Sequence, residues 1–294
     1  MQTRIRTRAL ALLLVVLAAT GVLCAAHAAD NLKTGGPYVP TPQVVVDQML
    51  RVARVAASDF VVDLGSGDGV IVLSAARQYQ ARGMGVEIDG DLIQLSNASA
   101  QSLGIADRVR FVQQDIFKTN LSDATVVTLY LLPSMMLDLR SKIFNELKPG
   151  TRVVSHDYHF GDWPSDDSIT FAVPEKEKIN GSPKATIYLW YVPAKIAGKW
   201  EIKVPGGPTY ELTLKQRYQN LEGSVTVGGQ SVRPQYLTLR GSDFSFALPH
   251  PKGVVRFTGA VKGEAMAGTV ESPDSKAPER WTGVRTVVTP VAPD

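Results

Sequence analysis

The stretch VVDLGSGDG runs from two valines into Asp63 and then into Gly65, Gly67 and Gly69, three glycines at alternate positions. Glycine accepts left-handed backbone and leaves room where a side chain would stand. The stretch therefore predicts a tight strand-to-helix turn that something approaches closely. Such a turn offers backbone N–H groups, that of Ser66 among them, and a helix N-terminus to a ligand. The spacing is G-x-G-x-G, not the G-x-G-x-x-G of dinucleotide sites. Asp63 stands two residues ahead of the first glycine, where a carboxylate repels a pyrophosphate and suits a ligand carrying an ammonium group. A purely structural turn is the plainer alternative for the motif alone.

Two further acids extend the pattern. Glu87, followed by Ile88, closes the next apolar run about 20 residues on, where a carboxylate can accept both ribose hydroxyls. Asp115, followed by Ile116, closes the run after that; it can accept from an adenine amino group while Ile116 packs on the ring. The alternative for each is a solvated acid at a strand end. A later run ends in Ser155-His156-Asp157-Tyr158-His159. Asp157 or His159 there can orient an amine or relay its proton, or the cluster can divide between packing and water. The spacing of His156, His159 and Asp162 is not a zinc pattern.

Periodicity supplies the elements that must hold these residues. Thr41-Pro42 opens a helical repeat, with Thr41 a candidate N-cap. Strands are predicted at 60–64, 83–88, 108–114, 125–132 and 151–158, with helices at 70–79, 91–103 and 134–147. The alternation predicts a parallel sheet covered by helices. Two more strands, 168–176 and 185–192, flank Asn180-Gly181 and predict an antiparallel hairpin. From Pro193 onward about eight short alternating runs follow without a helix, the signature of a small all-β barrel or sandwich. Gly198-Lys199-Trp200 and Arg280-Trp281 are weakly similar to the Gly-x-Trp opening of lipocalin-like barrels; plugging of a barrel end gives the same placement. The organisation expected is a leader at 1–28, an α/β domain at 29–194 and an all-β domain at 195–294.

Taken in order, each at a strand's C-terminal end, these residues resemble the class I S-adenosylmethionine-dependent methyltransferases over about residues 37–192. The resemblance implies a Rossmann-like seven-stranded sheet and S-adenosyl-L-methionine as cofactor. By it, Asp63 and Gly65-Ser66-Gly67 face the methionine moiety, Glu87 the ribose, and Asp115 with Ile116 the adenine, with Ile88 also among the cofactor-binding residues. A narrower similarity lies in YVPTP (38–42), DLGSGDG (63–69) and VTLYLLPSMM (127–136). It is to the family that includes the ATP synthase c-subunit lysine methyltransferases and, more distantly, the histone lysine methyltransferases that lack a SET domain. That similarity implies methyl transfer to a lysine nitrogen, with Tyr38 and Thr41 over the cofactor. An extended, proline-restricted entry to the first helix is the alternative for YVPTP.

Lysine must first lose a proton, which at pH 7 costs roughly 4–5 kcal/mol from a pKa of about 10.4. Desolvation and a nearby sulfonium both lower that pKa. The platform for the amine is Leu129-Tyr130-Leu131-Leu132-Pro133. It lacks the Asn/Asp-Pro-Pro-aromatic acceptor of adenine and glutamine N-methyltransferases, which argues against DNA bases. Backbone carbonyls and the Tyr130 hydroxyl remain as acceptors, with a core role for Tyr130 as the alternative.

Arg4, Arg6 and Arg8, the apolar run 9–23 and Ala26-His27-Ala28 read as a secretory signal peptide. An uncleaved inner-membrane anchor over residues 9–26 is the alternative. Leu23 ahead of Cys24, the sole cysteine, disfavours a lipoprotein signal. Cleavage would leave a chain without thiols, excluding cysteine nucleophiles and cysteine-bound metals. It would also leave 28 basic against 28 acidic residues. Residues 30–194 carry 15 basic and 19 acidic side chains, and 195–294 carry 13 and 9; neither has the basic excess of a nucleic-acid binder. The expected partners are a protein lysine, including one in a cell-envelope protein, or a small-molecule acceptor, and no nucleic acid. An exported or tethered methyltransferase must still obtain a charged donor made in the cytosol, so a non-catalytic binding module remains the rival.

Overall fold

Strands form where apolar residues run uninterrupted, as they must when a parallel sheet is covered on both faces. In the computed structural model, which describes residue 36 and residues 38–291, these are β1 (Phe60–Leu64), β2 (Arg82–Glu87), β3 (Val109–Gln113), β4 (Val126–Leu129) and β5 (Arg152–His156), joined by β6 (Asp167–Ala172) and β7 (Lys184–Tyr191). Their order is β3-β2-β1-β4-β5-β7-β6. The first five are parallel, and β7 runs antiparallel to both neighbours. The helices are α1 (Gln43–Val52), α2 (Val70–Tyr79), α3 (Gly90–Ser102) and α4 (Pro133–Glu146). Strand order reverses between β1 and β4, and ligands of such sheets bind at that reversal.

Local chemistry fixes the helix starts. Asp89 accepts the Asp91 N–H at 2.8 Å and caps α3. Pro133 occupies the first turn of α4, where its missing N–H costs nothing. Pro42, not Thr41, stands at the N-cap of α1, which has no side-chain cap. The expected hairpin also differs. Strand β6 stops at Ala172, a 3₁₀ turn covers Pro174–Lys176, and a short helix α5 (Glu177–Asn180) ends at Gly181, φ +77°. Pro174 has no N–H for a strand ladder, and Lys176 is drawn inward. Asn180-Gly181 is thus a helix stop, not a two-residue turn.

The second sheet comprises β8 (Gly198–Lys203), β9 (Thr209–Arg217), β10 (Asn220–Val227), β11 (Gln230–Val232), β12 (Gln235–Arg240), β13 (Asp243–His250), β14 (Gly253–Lys262), β15 (Ala265–Glu271) and β16 (Glu279–Val288). It is a curled, wholly antiparallel half-barrel in the order β11-β10-β9-β8-β16-β15-β14-β13-β12. Strand β9 gives way to a turn at Tyr218, φ +53°, and the sheet has nine strands where about eight were expected. Strand β8 pairs with β16, so the ladder is left open between β11 and β12, which are adjacent in sequence. Trp200 and Trp281 are buried in its core beside Phe246 and Phe257, whose rings stack at 4.5 Å. The Arg285 guanidinium lies 4.6 Å above the Trp200 ring.

Residues between the sheets are mostly buried, and Ala194 donates to the Gly241 carbonyl at 2.8 Å. The leader and anchor readings fall on residues 1–28, outside the described residues. Among the described residues no helix is long and apolar enough to cross a membrane.

Candidate active site

The glycine loop leaves β1 with Gly65, Gly67 and Gly69 at φ +79°, +53° and +80°. Gly65 and Ser66 donate to the Val86 carbonyl at 2.8 and 3.0 Å, tying the loop to β2. A Cβ on Gly65 would stand 2.8 Å from Leu131 Cδ2, on Gly67 2.5 Å from Tyr38 Cε2, and on Gly69 2.6 Å from Phe111 Cε1. The close approach expected of a ligand is thus made by the chain's own side chains. The Tyr38 ring lies against Gly67. Burial, followed by its hydrogen bond to Asp68, pushes its phenol up to about 12. Thr41 is half-buried ahead of α1. Gly67→Ala should displace Tyr38 and, at positive φ, destabilise by more than about 1 kcal/mol; the denaturant midpoint measures it.

Glu87 and Asp63 flank this loop, and Asp115 follows β3. Glu87 Oε2 accepts the Gly67 N–H at 2.9 Å, and Oε1 accepts those of Ile88 and Asp89 at 2.7 and 3.1 Å. The carboxylate is thereby fixed at the end of β2. Asp63 is buried at the strand-order reversal, and Thr128 of β4 donates to its Oδ1 at 2.7 Å. Burial pushes Asp63 up to about 7; the Thr128 hydroxyl pulls the other way, and Glu87 and Asp68 add to the rise. Asp115 accepts the Phe117 N–H at 2.9 Å and lies 3.8 Å from Lys118. Ile116 is buried in the core with Val86 and Leu129, and the neighbouring Phe117 is 40% exposed. The Ser66 hydroxyl is buried without a hydrogen-bond partner among the described residues.

The far wall is built by β4, β5 and α5. The Tyr130 ring, half-buried, lies 4.1 Å from that of His156 and 6.3 Å from that of Tyr158. Its hydroxyl accepts from Asn180 Nδ2 at 3.3 Å, and burial raises its pKa. His156 is fully buried, and neither ring nitrogen has a hydrogen-bond partner among the described residues. Its Nε2 lies 3.5 Å from Asp157 Oδ2, but burial outweighs that neighbour and brings its pKa down to about 4, leaving imidazole neutral.

Asp157 is not left facing an incoming amine. Its Oδ1 accepts the Thr186 N–H at 3.0 Å, and its Oδ2 is paired with Lys176, a lysine only 1% exposed. Lys176 also donates to the Lys184 carbonyl at 2.6 Å. A carboxylate so engaged ties the end of β5 to β7 and to the connector that carries Lys176. His159 accepts the Gly161 N–H at 3.0 Å. Asp162 pairs with Arg140 and Arg217, so His156, His159 and Asp162 do not assemble. Pro133 is exposed at the start of α4, directly after the wall that carries Tyr130. Sequence reasoning missed Thr128, Lys176 and Asn180. A signal existed only for Thr128, one strand residue inside the platform.

A family model described as the ANTKMT methyltransferase domain matches residues 63–167, a span that opens on Asp63 and ends at the first residue of β6. A protein-lysine N-methyltransferase of Saccharolobus islandicus (strain REY15A) is 38% identical over 157 residues, covering 53% of this chain and 93% of that protein. The chain belongs to the protein-lysine N-methyltransferase family. The methyltransferase is also 32% identical over 172 residues to the adenine nucleotide translocase lysine N-methyltransferase of Mus musculus, covering 55% of this chain and 75% of that protein. Among solved structures, one described as an RNA methyltransferase from Salinibacter ruber in complex with S-adenosyl-L-homocysteine shares 47% identity at a TM-score of 0.49, over 54% of this chain and 96% of that one.

A methyltransferase needs a methyl donor, and these residues fit S-adenosyl-L-methionine. The buried Asp63 suits its ammonium, the fixed Glu87 its ribose hydroxyls, and the partnerless Ser66 hydroxyl a polar atom of the ligand. When bound, the cofactor supplies an electrophilic methyl group on a sulfonium.

Proposed function

We propose that this methyltransferase N-methylates a lysine side chain of a protein, using S-adenosyl-L-methionine. The observation that carries the reading is the aromatic wall of Tyr130 and Tyr158 around an uncharged His156, with the adjoining Asp157 carboxylate already paired with Lys176. A free carboxylate would hold an incoming lysine as ammonium; an aromatic, desolvating wall favours the free amine. The Tyr130 oxygen can then accept one amine N–H and leave the nitrogen lone pair directed at the methyl group. Bond formation from nitrogen to the methyl carbon accompanies cleavage of the sulfur–carbon bond. The surplus amine proton passes to water. Alignment is the enzyme's main contribution. The activities of the Saccharolobus and mouse relatives support the same acceptor class.

Residues 29–294 offered methyl-labelled S-adenosylmethionine, with cytosolic and envelope extracts in separate reactions, test the proposal. Label is expected in a discrete protein band at lysine. Glu87→Ala, which loses charge-assisted hydrogen bonds to ribose worth roughly 1.5–3 kcal/mol, should bind cofactor about tenfold or more weakly and abolish the band. Label confined to small molecules would replace the protein acceptor with a small one. The leader reading makes the envelope the expected location of enzyme and substrate, and a fusion to a reporter active only outside the cytosol decides it.

A further inference from the structure

We propose that the β9–β10 turn of the second sheet is a positioning element of the acceptor site, holding the loop at 157–164 through Tyr218 and Gln219. The inference rests on the reading of Tyr130 and residues 155–159 as the acceptor wall. That loop starts beside the wall: Tyr158 donates its N–H to the His156 carbonyl at 2.8 Å, and Ser155 Oγ donates to the Tyr158 carbonyl at 2.5 Å. It ends at Trp163, which is buried in the core of the first sheet.

Trp163 packs on Phe160 and Trp190 of its own domain, Trp190 Nε1 donates to the Trp163 carbonyl at 3.1 Å, and the second sheet supplies Tyr218 and Gln219. Tyr218, at φ +53° where non-glycine residues are uncommon, turns out of β9 and is 2% exposed within the first sheet's core, not its own. Its ring stacks on Trp163 at 5.1 Å with 5° between planes. Phe144 of α4 meets both rings edge-on, at 5.6 and 5.5 Å. Gln219 uses its amide twice: Oε1 accepts from Trp163 Nε1 at 3.0 Å, and Nε2 donates to the Pro164 carbonyl at 2.6 Å. Asp162 is held between Arg217 of β9 and Arg140 of α4.

The hairpin tip therefore grips the far end of the loop whose near end forms the acceptor wall. It also grips α4, the helix that begins at Pro133 just beyond Tyr130. The family match ends at residue 167, so the brace lies beyond the matched domain. This gives the second sheet a part in the reaction without placing any of its side chains at the reacting atoms.

Gln219→Ala, Tyr218→Ala and Tyr218→Phe in the full chain test the proposal by three readouts: hydrogen–deuterium exchange across 157–164, cofactor Kd, and kcat and KM for the labelled acceptor protein. Gln219→Ala and Tyr218→Ala should raise exchange across that loop and lower acceptor kcat/KM at least tenfold, with cofactor Kd changed less than twofold. Tyr218→Phe keeps the stacked ring and should raise exchange across the loop less than Tyr218→Ala does. Unchanged exchange in both truncations, or faster exchange with undiminished transfer, overturns the proposal. If Tyr218→Ala loses cofactor binding through unfolding, Gln219→Ala decides. A wild type that binds cofactor yet labels no protein would overturn the lysine reading instead, and exchange alone would then judge the brace.

Discussion

Lys176→Met should lower folding stability by about 3–5 kcal/mol, because removing one partner of a buried ion pair strands the other. Lys176 is 1% exposed and Asp157 sits beside it with its side chain 18% exposed, so neither charge is effectively served by water. Methionine is near in length and supplies no charge. The carboxylate would then have only the Thr186 N–H and, at 3.5 Å, the ring of His156. Lys176 is one of the causes holding His156 low, so its loss should let the histidine titrate at higher pH. The double variant Lys176→Met with Asp157→Asn should recover much of the loss, since an amide needs no counter-charge. Urea denaturation of the two single variants and the double one forms a cycle. A coupling near zero would mean that the pair does not hold β5 to the α5 connector.

The same pair marks where sequence reading ran out. Residues 173–178, VPEKEK, look like a solvated charged strand, and nothing local says which lysine turns inward. Its partner is 19 residues earlier, at a positive-φ position that no motif announces. Likewise, nothing local joins β8 to β16, whose pairing spans the whole second sheet. By contrast, β1, β2, β4 and β5 were legible because each buries four successive residues, the edge strand β3 because apolar and polar residues alternate in it, and α2 and α4 because glycine or proline fixes their first turns. The acids proposed for the cofactor stood out for a related reason. Each lies at or just beside the C-terminal end of a strand, and in a parallel sheet all such ends open on one side. The glycines were legible as positions but not as neighbours: their spacing shows that something comes close, and the structure shows Tyr38, Leu131 and Phe111 doing so.

Cofactor affinity should fall as pH drops below about 7, and Asp63→Asn should abolish that dependence. In the free enzyme burial holds the Asp63 carboxyl up to about 7, well above its ordinary 3.8. A group raised in the folded state binds its proton more tightly there than in the unfolded chain. It thus contributes stability that is complete below about pH 4 and is lost as pH rises to about 7. The slope through that window is about 1.4 kcal/mol per pH unit. Above it the free enzyme carries a buried carboxylate that the Thr128 hydroxyl only partly compensates. A ligand ammonium compensates it further and favours the ionised form, so binding must expel the proton whenever pH lies below the free enzyme's value. The limiting cost is tenfold in affinity per pH unit. Calorimetry between pH 5 and 8 should show affinity nearly flat above about pH 7 and approaching that slope below it in the wild type, with proton release on binding below pH 7. The stabilisation conferred by cofactor should correspondingly be greater at pH 8 than at pH 6. Asp63→Asn should be more stable than wild type without cofactor at pH 8, bind cofactor more weakly there, and show no slope. Equal affinities for both proteins across the range would place the ligand's ammonium away from Asp63, and with it the orientation of the methyl group toward Tyr130.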